Sequence, residues 1–340
     1  MYGKLADGYV GLIVTGGAFI EAWENLPETI GIRSPWAMYH DGYIGPWREV
    51  VNAVHKRDTK IAMQIVHLGR LDIPQLRGSV PIAPSPVPRG SDGVVPREMT
   101  RHDIEDIVEK FAQASRRVQA AGFDAVEFHG AHGNLIHNFM SPFTNTRTDE
   151  YGGSTGNRAR FTSEIIARTR ELVGPDYPLM IKMTFDDFID GGLTTDEAID
   201  VAKTIAQAGI DCIEVSGGSH SESIDHIAVR GIGQEGKEAY FRRHAKALKK
   251  QVAIPVILVG GLRSPGIMER ELEDGTADFV AMSRPFIREP ALVKRWANGD
   301  LAKAKCVSCN KCFDNFAIRP LRCYVEDPLD ELEDAQNGVS

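Results

Sequence analysis

The sequence predicts an α/β fold of the TIM (β/α)8-barrel type. Three observations predict it. Seven short runs rich in Val and Ile, at residues 10–15, 60–66, 125–129, 179–184, 212–216, 255–259 and 279–282, lack clean polar alternation, as strands buried on both faces do. Amphipathic segments separate them, and three end in a Gly followed by an Asp that opens the next run: Gly122 with Asp124, Gly209 with Asp211, and Gly275 with Asp278. Such repeated helix–Gly–Asp–strand units imply a parallel sheet with crossover helices. The third observation is an absence. The first run ends in Thr15, Gly16 and Gly17, and Ala18, Phe19 and Ile20 follow, so the Gly-rich turn of a doubly wound dinucleotide fold is missing and a closed barrel is favoured.

The elements follow in order. Run 10–15 comes first and run 60–66 second. Thr100, with Asp103 three residues on, opens a helix that runs to Ala121 and stops at Gly122, the signature of a capped start and a glycine stop. Run 125–129 follows, then run 179–184. A helix from Thr195 to Ala208 stops at Gly209 and leads into run 212–216. After run 255–259, a helix from Pro265 to Asp274 stops at Gly275 and leads into run 279–282.

Composition bounds the function. With 340 residues, 42% hydrophobic and 25% charged, the chain is an ordinary globular protein of one large barrel or two smaller domains. No apolar run is long enough to span a bilayer and mixed sequence follows Met1, so the expected location is cytoplasmic, without a membrane partner. The formal net charge is −8, and Glu326, Asp327, Asp330, Glu331, Glu333 and Asp334 crowd the C-terminal end. The rest is near neutral with no Lys/Arg stripe, which argues against a nucleic-acid partner. The acidic end reads as a solvated, mobile tail.

In barrels of this type the working residues lie at the C-terminal ends of the strands. Those ends carry Gly17, Gln64, His67, His129, His132, Lys182, His220, Gly260, Gly261, Arg263, Ser283 and Arg284. The last two suggest a phosphate site: Gly260 and Gly261 permit close backbone approach, and Arg263 and Arg284 supply charged donors. His129 and His132 form an HxxH pair beyond one strand. Two imidazoles there suit a carbonyl oxygen on which negative charge develops, and the same spacing suits a metal or a helix cap. Of five cysteines, Cys212 sits within an apolar run and reads as a small buried hydrophobe. Cys306, Cys309, Cys312 and Cys323 cluster near the C-terminus, a metal or redox candidate in a reducing compartment.

Longer motifs decide between these readings. FDAVEFHGAH at 123–132, SPFTNTRTDEYGG at 141–153, NRARF at 157–161, QIVHLGR at 64–70 and IAPSP at 82–86 resemble the old yellow enzyme (NADH:flavin oxidoreductase) family from about Leu12 to Trp296. The resemblance implies an FMN enzyme that reduces an activated C=C bond (enone, enoate or enoyl thioester) with electrons from NAD(P)H or an electron-transfer protein. It implies that Gln64 and Lys182 hold the flavin ring, with Gly17 at the bed. Gly261, Arg263, Ser283 and Arg284 then hold the phosphate, and His129 and His132 bind the substrate oxygen. A homo-oligomer is compatible with it. Residues 1–300 form the FMN-binding barrel, and 301–340 a Cys-rich segment with the acidic tail.

Three departures qualify that picture. Asn134 stands where the family usually has a Tyr proton donor, and an amide is no general acid at neutral pH. His220, placed where the dienoyl-CoA reductase branch carries a catalytic His, or water, is the expected replacement. The family's first strand is missing, since residues 2–8 read as the end of the helix that follows it, and this leaves a sheet edge exposed. The four C-terminal cysteines resemble the iron–sulfur segment of trimethylamine dehydrogenase and 2,4-dienoyl-CoA reductase. A [4Fe–4S] cluster or a zinc ion is expected there, and the nucleotide-binding half of those relatives is not expected in this chain. Amine oxidation ranks lower because no aromatic cage shows at the strand ends. From a different class, a flavin-free barrel acting as a metal-bound structural or electron-relay subunit is the competing reading.

Overall fold

The computed structural model describes residues 1–22, 37–90, 93–232, 235–314 and 321–326. Of the acidic tail only Glu326 falls within these; Asp327, Asp330, Glu331, Glu333 and Asp334 lie outside the described residues.

The strands are β1 (Leu12–Val14), β2 (Ala18–Phe19), β3 (Lys60–Val66), β4 (Ile82–Ala83), β5 (Arg97–Glu98), β6 (Ala125–Gly130), β7 (Leu179–Thr184), β8 (Cys212–Ser216), β9 (Val256–Leu258) and β10 (Phe279–Val280). All seven runs read as strands are strands. They form one sheet in the order β1-β3-β6-β7-β8-β9-β10, with β2 also on β3, and every pairing is parallel. This is the curled α/β sheet expected of a barrel. β4 and β5 form a separate small sheet over loops that the sequence patterns did not reveal.

The Gly–Asp junctions have one physical job. Gly122, Gly209 and Gly275 take φ of +92°, +107° and +64°, backbone open to glycine, and end their helices. Asp124, Asp211 and Asp278 then each accept a 2.8 Å hydrogen bond from a backbone amide near the start of the preceding strand: Ile61, Leu179 and Val256. Each carboxylate thus pins two neighbouring strands at the end opposite the site. The first of the three expected helices runs Arg101–Ala120 behind a complete capping box on Thr100 and Asp103. The others are Thr195–Gln207 and Pro265–Glu273. The helices Ile44–His55 and Thr155–Val173 were not read from the sequence.

The N-terminal segment is helical over Tyr2–Ala6, as expected, and the amide of Lys294 bonds the carbonyl of Gly8 at 3.0 Å. The sheet order leaves β1 and β10 as its two edges. Leu12 and Phe279, on those edges, are 39% and 56% exposed among the described residues. Inside the sheet the inward positions alternate as a pleat demands. Ala62, Ala125, Met180 and Ile257 make an apolar lower layer with Val14, Cys212 and Ala281. The next inward positions carry Gln64, Glu127, Lys182 and Glu214.

Candidate functional site

That second layer is the floor of the site. Gln64 Nε2 donates to Glu127 Oε2 at 2.6 Å, and Lys182 Nζ donates to Glu214 Oε1 at 2.5 Å. Glu127 is fully buried and Glu214 nearly so, while the Lys182 side chain keeps 17% exposure. Burial by itself lowers a lysine, but the Glu214 and Glu127 carboxylates overturn that and raise Lys182 above its ordinary value. Lys182 is therefore a fixed cation at the barrel mouth. The sequence reading named Gln64 and Lys182 and missed both glutamates. The available signal was a Glu at the centre of each of two apolar strands, where only a paired charge is tolerated.

Above this layer stand three imidazoles. The rings of His129 and His132 are 5.2 Å apart edge to face, and those of His132 and His220 are 5.8 Å apart. His132 Nε2 lies 2.7 Å from Ser216 Oγ, and the amide of His220 bonds the carbonyl of His132 at 3.1 Å. Burial, reinforced by the Lys182 charge and the neighbouring rings, holds His129 and His132 well below the usual histidine range. All three rings are neutral at pH 7, because burial and then the Arg89 charge push His220 down to about 4. This revises the expectation for His220: a proton store that titrates near neutral pH is not what the fold builds there. The His220 ring also stacks parallel to Phe313, 6.0 Å away, in the Cys-rich segment.

Asn134 is buried among these groups. Its Nδ2 donates to the Ala131 carbonyl at 2.9 Å and lies 3.3 Å from His129 Nε2. An amide donor there leaves Nε2 as acceptor and puts the ring proton on Nδ1, and Nδ1 of His129 is buried without a partner. Where a tyrosine acid was missed, an orienting amide is found.

The arginine end differs from the simplest expectation. Glu238 occupies the start of helix Pro265–Glu273: its carboxylate accepts from the Arg263 and Ser264 amides at 2.8 and 3.0 Å and from Ser264 Oγ at 2.7 Å. A Cβ on Gly261 would come 2.6 Å from Ile232 and 2.9 Å from the Tyr240 ring. The expected close approach of a phosphate to Gly261 is thus an approach of protein side chains, Tyr240 and Ile232. The anion-binding capacity lies in the guanidinium groups. Arg263 is 4% exposed, its Nη2 bonds Ser308 Oγ, and its Nε has no partner. Arg284 bonds the Val229 carbonyl at 3.0 Å and Asn310 Oδ1. Burial first, with the neighbouring Arg284 charge adding to it, lowers Arg263 below its ordinary value, and neither side chain bonds a carboxylate among the described residues. Ser283 precedes helix Arg284–Arg288 as its N-cap residue. Gly17 abuts Val66 and Gln64, its ideal Cβ falling 3.0 and 3.5 Å from their side chains.

Cys306, Cys309, Cys312 and Cys323 line one small cavity with Arg284, Arg288 and Tyr324. Burial, and then the charge of Cys306, pushes the Cys312 thiol up. Ser308 and Asn310, between the cysteines, take left-handed φ of +51° and +64°, which costs a non-glycine residue about 1–2 kcal/mol. Their bonds to Arg263 and Arg284 hold that shape. Among the described residues no group of three or more Cys, His, Asp or Glu side chains is arranged to hold a metal ion. No helix among them is long and apolar enough to cross a membrane.

Residues 2–302 match the NADH:flavin oxidoreductase / NADH oxidase family. The chain belongs to that family. The resemblance read from the motifs is borne out, and the curled parallel sheet is that of the family's barrel. An NADH oxidase of Thermoanaerobacter brockii is 39% identical over 326 residues, covering 94% of this chain and 49% of that one. Among solved structures, a 2-naphthoyl-CoA reductase superposes with a TM-score of 0.85 at 27% identity, over 95% of this chain and 50% of that one. Morphinone reductase superposes at 0.69 and 29% identity, over 88% of this chain and 80% of that one. The chain spans about half the length of the NADH oxidase and of the naphthoyl-CoA reductase.

The residues present fit a phosphorylated flavin. Two adjacent guanidinium groups without a carboxylate, one with an unpartnered buried nitrogen, call for an anion. A cation at the barrel mouth suits the ring edge where negative charge gathers on reduction.

Proposed function

We propose that this barrel binds FMN and reduces an activated C=C bond conjugated to a carbonyl. The observation that carries the reading is the set of neutral imidazoles directly above the Lys182 layer. Gln64 and Lys182, with Gly17 at the bed, would hold the ring, and Arg263, Ser283 and Arg284 the phosphate. Bound FMN supplies the hydride chemistry, with electrons from NAD(P)H or a partner protein. The chain's own contribution is to hold and polarise the carbonyl oxygen. His129, with its Nδ1 proton unpartnered, and His132 donate to that oxygen as neutral rings. A neutral donor matches an enolate-like oxygen without giving up its proton. His220 borders the same space as a hydrogen-bonding group, and water delivers the proton to the α-carbon. We assign residues 1–300 to the flavin barrel and 301–340 to its Cys-rich segment. Cys306, Cys309, Cys312 and Cys323 supply the thiolate set of a [4Fe–4S] cluster, zinc being the alternative.

Absorbance of anaerobically purified protein tests this. Flavin bands bleached by NAD(P)H or dithionite and restored by an enone support the reading. Protein that lacks flavin and takes up none from added FMN overturns it. Iron, sulfide and zinc analysis of the same sample decides the cysteine assignment.

A further inference from the structure

The polar layer inside the barrel carries an unbalanced charge. Glu127 on β6 and Glu214 on β8 face inward with Lys182 on β7 and Gln64 on β3, and Gln64 pairs with Glu127 in register as Lys182 does with Glu214. Two ionised carboxylates against one ammonium leave a net negative charge where desolvation is most costly. The hydrogen bonding makes the same point. Glu127 Oε2 is satisfied by Gln64, its Oε1 has no donor, and the Glu127 and Glu214 carboxyl groups lie within reach of each other. Two acceptors face each other, and only a proton on one of them turns that contact into a bond.

Among the described residues, Lys182 is the cation that acts on Glu127. β6 adds His129, a neutral ring; β8 adds Ser216 and Cys212, whose thiol is pushed to about 12 by burial and then the charges of Glu127 and Glu214. The Tyr240 hydroxyl, near Lys182, is raised by burial, and β3 presents only the amide of Gln64.

We propose that Glu127 carries one exchangeable proton, which its carboxyl group shares as a hydrogen bond with Glu214, and that this carboxyl–carboxylate pair, acting through Lys182, sets the charge of the barrel floor beneath the flavin ring. Both are positioning residues. Burial first, and then the Glu214 charge, raise Glu127 to about 8, with Lys182 and Gln64 pulling the other way. Below that pH the floor is neutral overall; above it, the floor is negative. The link to the ring rests on the flavin reading above; the shared proton does not. When two electrons from dithionite reach bound flavin above about pH 8, the added negative charge beside Lys182 draws one extra proton from solvent onto the pair, besides the one the ring itself takes.

Infrared difference spectra of the flavin-free chain test the proton directly. A protonated-carboxyl carbonyl band is expected at pH 7, half lost near pH 8, shifted by 13C-glutamate labelling of the wild type, and absent in Glu127→Gln and Glu214→Gln. No such band in the labelled wild-type chain, or its persistence in both variants, overturns the proposal. In the flavin-loaded protein, proton counting during dithionite reduction at pH 9 is expected to give one more proton per flavin in wild type than in Glu127→Gln. Equal counts overturn the link to the ring. A chain that shows the band but binds no FMN overturns the flavin reading and leaves the shared proton standing.

Discussion

His244 offers a quantitative test of how this fold treats a buried imidazole. It is 1% exposed on helix Arg242–Lys249, outside the candidate site. Its Nδ1 lies 2.9 Å from Thr195 Oγ1, and its Nε2 accepts from Arg243 Nε at 3.1 Å. Protonating Nε2 would set two donors against each other. Burial, and then the Arg243 charge, push the group from 6.5 down to about 4, with Asp186 opposing. The folded value is below the unfolded one, so between those two pH values the unfolded chain binds more protons. Stability is therefore complete above about pH 6.5 and falls as pH drops toward 4. At about 1.36 kcal/mol per unit, the difference between about pH 7.5 and pH 5 comes to roughly 2 kcal/mol from this residue alone. His244→Gln keeps hydrogen-bonding capacity and cannot titrate. Urea unfolding of both proteins at the two pH values measures the effect, and the other depressed histidines are common to both and cancel. The wild type is expected to lose about 2 kcal/mol more than the variant on acidification. Equal losses would refute the claim that the fold holds this ring neutral.

Three further outcomes follow from the site. Arg284→Ala is expected to weaken FMN binding by roughly 10- to 150-fold through loss of a charged phosphate contact worth about 1.5–3 kcal/mol; fluorescence titration measures it, and wild-type affinity would sink the phosphate assignment. His129→Ala with His132→Ala is expected to abolish the long-wavelength charge-transfer band that phenolate ligands give with flavin, since such ligands mimic an enolate oxygen; an unchanged band makes the pair structural. Because burial places His220 at about 4, enone turnover is expected to be flat with pH from about 6 to 8, and His220→Ala to fall short of the roughly 10²–10⁴-fold loss typical of a general acid. A rate that falls through pH 6–7, or a loss of that size, restores His220 as the proton donor.

The sequence by itself determined the architecture. Parallel strands buried on both faces must be continuous apolar runs, so 60–66, 179–184 and 212–216 were legible to the residue. The Gly–Asp junctions announced where each strand begins, because a helix stop and a carboxylate that caps the next strand's amide are local chemistry. What only the tertiary structure decided is who meets whom across the barrel. Glu127 and Glu214 are 87 residues apart in the chain, and nothing local says that both face Lys182. Arg263 and Arg284 read as phosphate donors, but their partners Ser308 and Asn310 come from the cysteine loop, and Glu238 takes the backbone amides expected for the anion. The histidines could be located from spacing alone, but not their charge. Neutrality at His129, His132 and His220 comes from desolvation and from neighbouring cations, which exist only once the strands have closed around them.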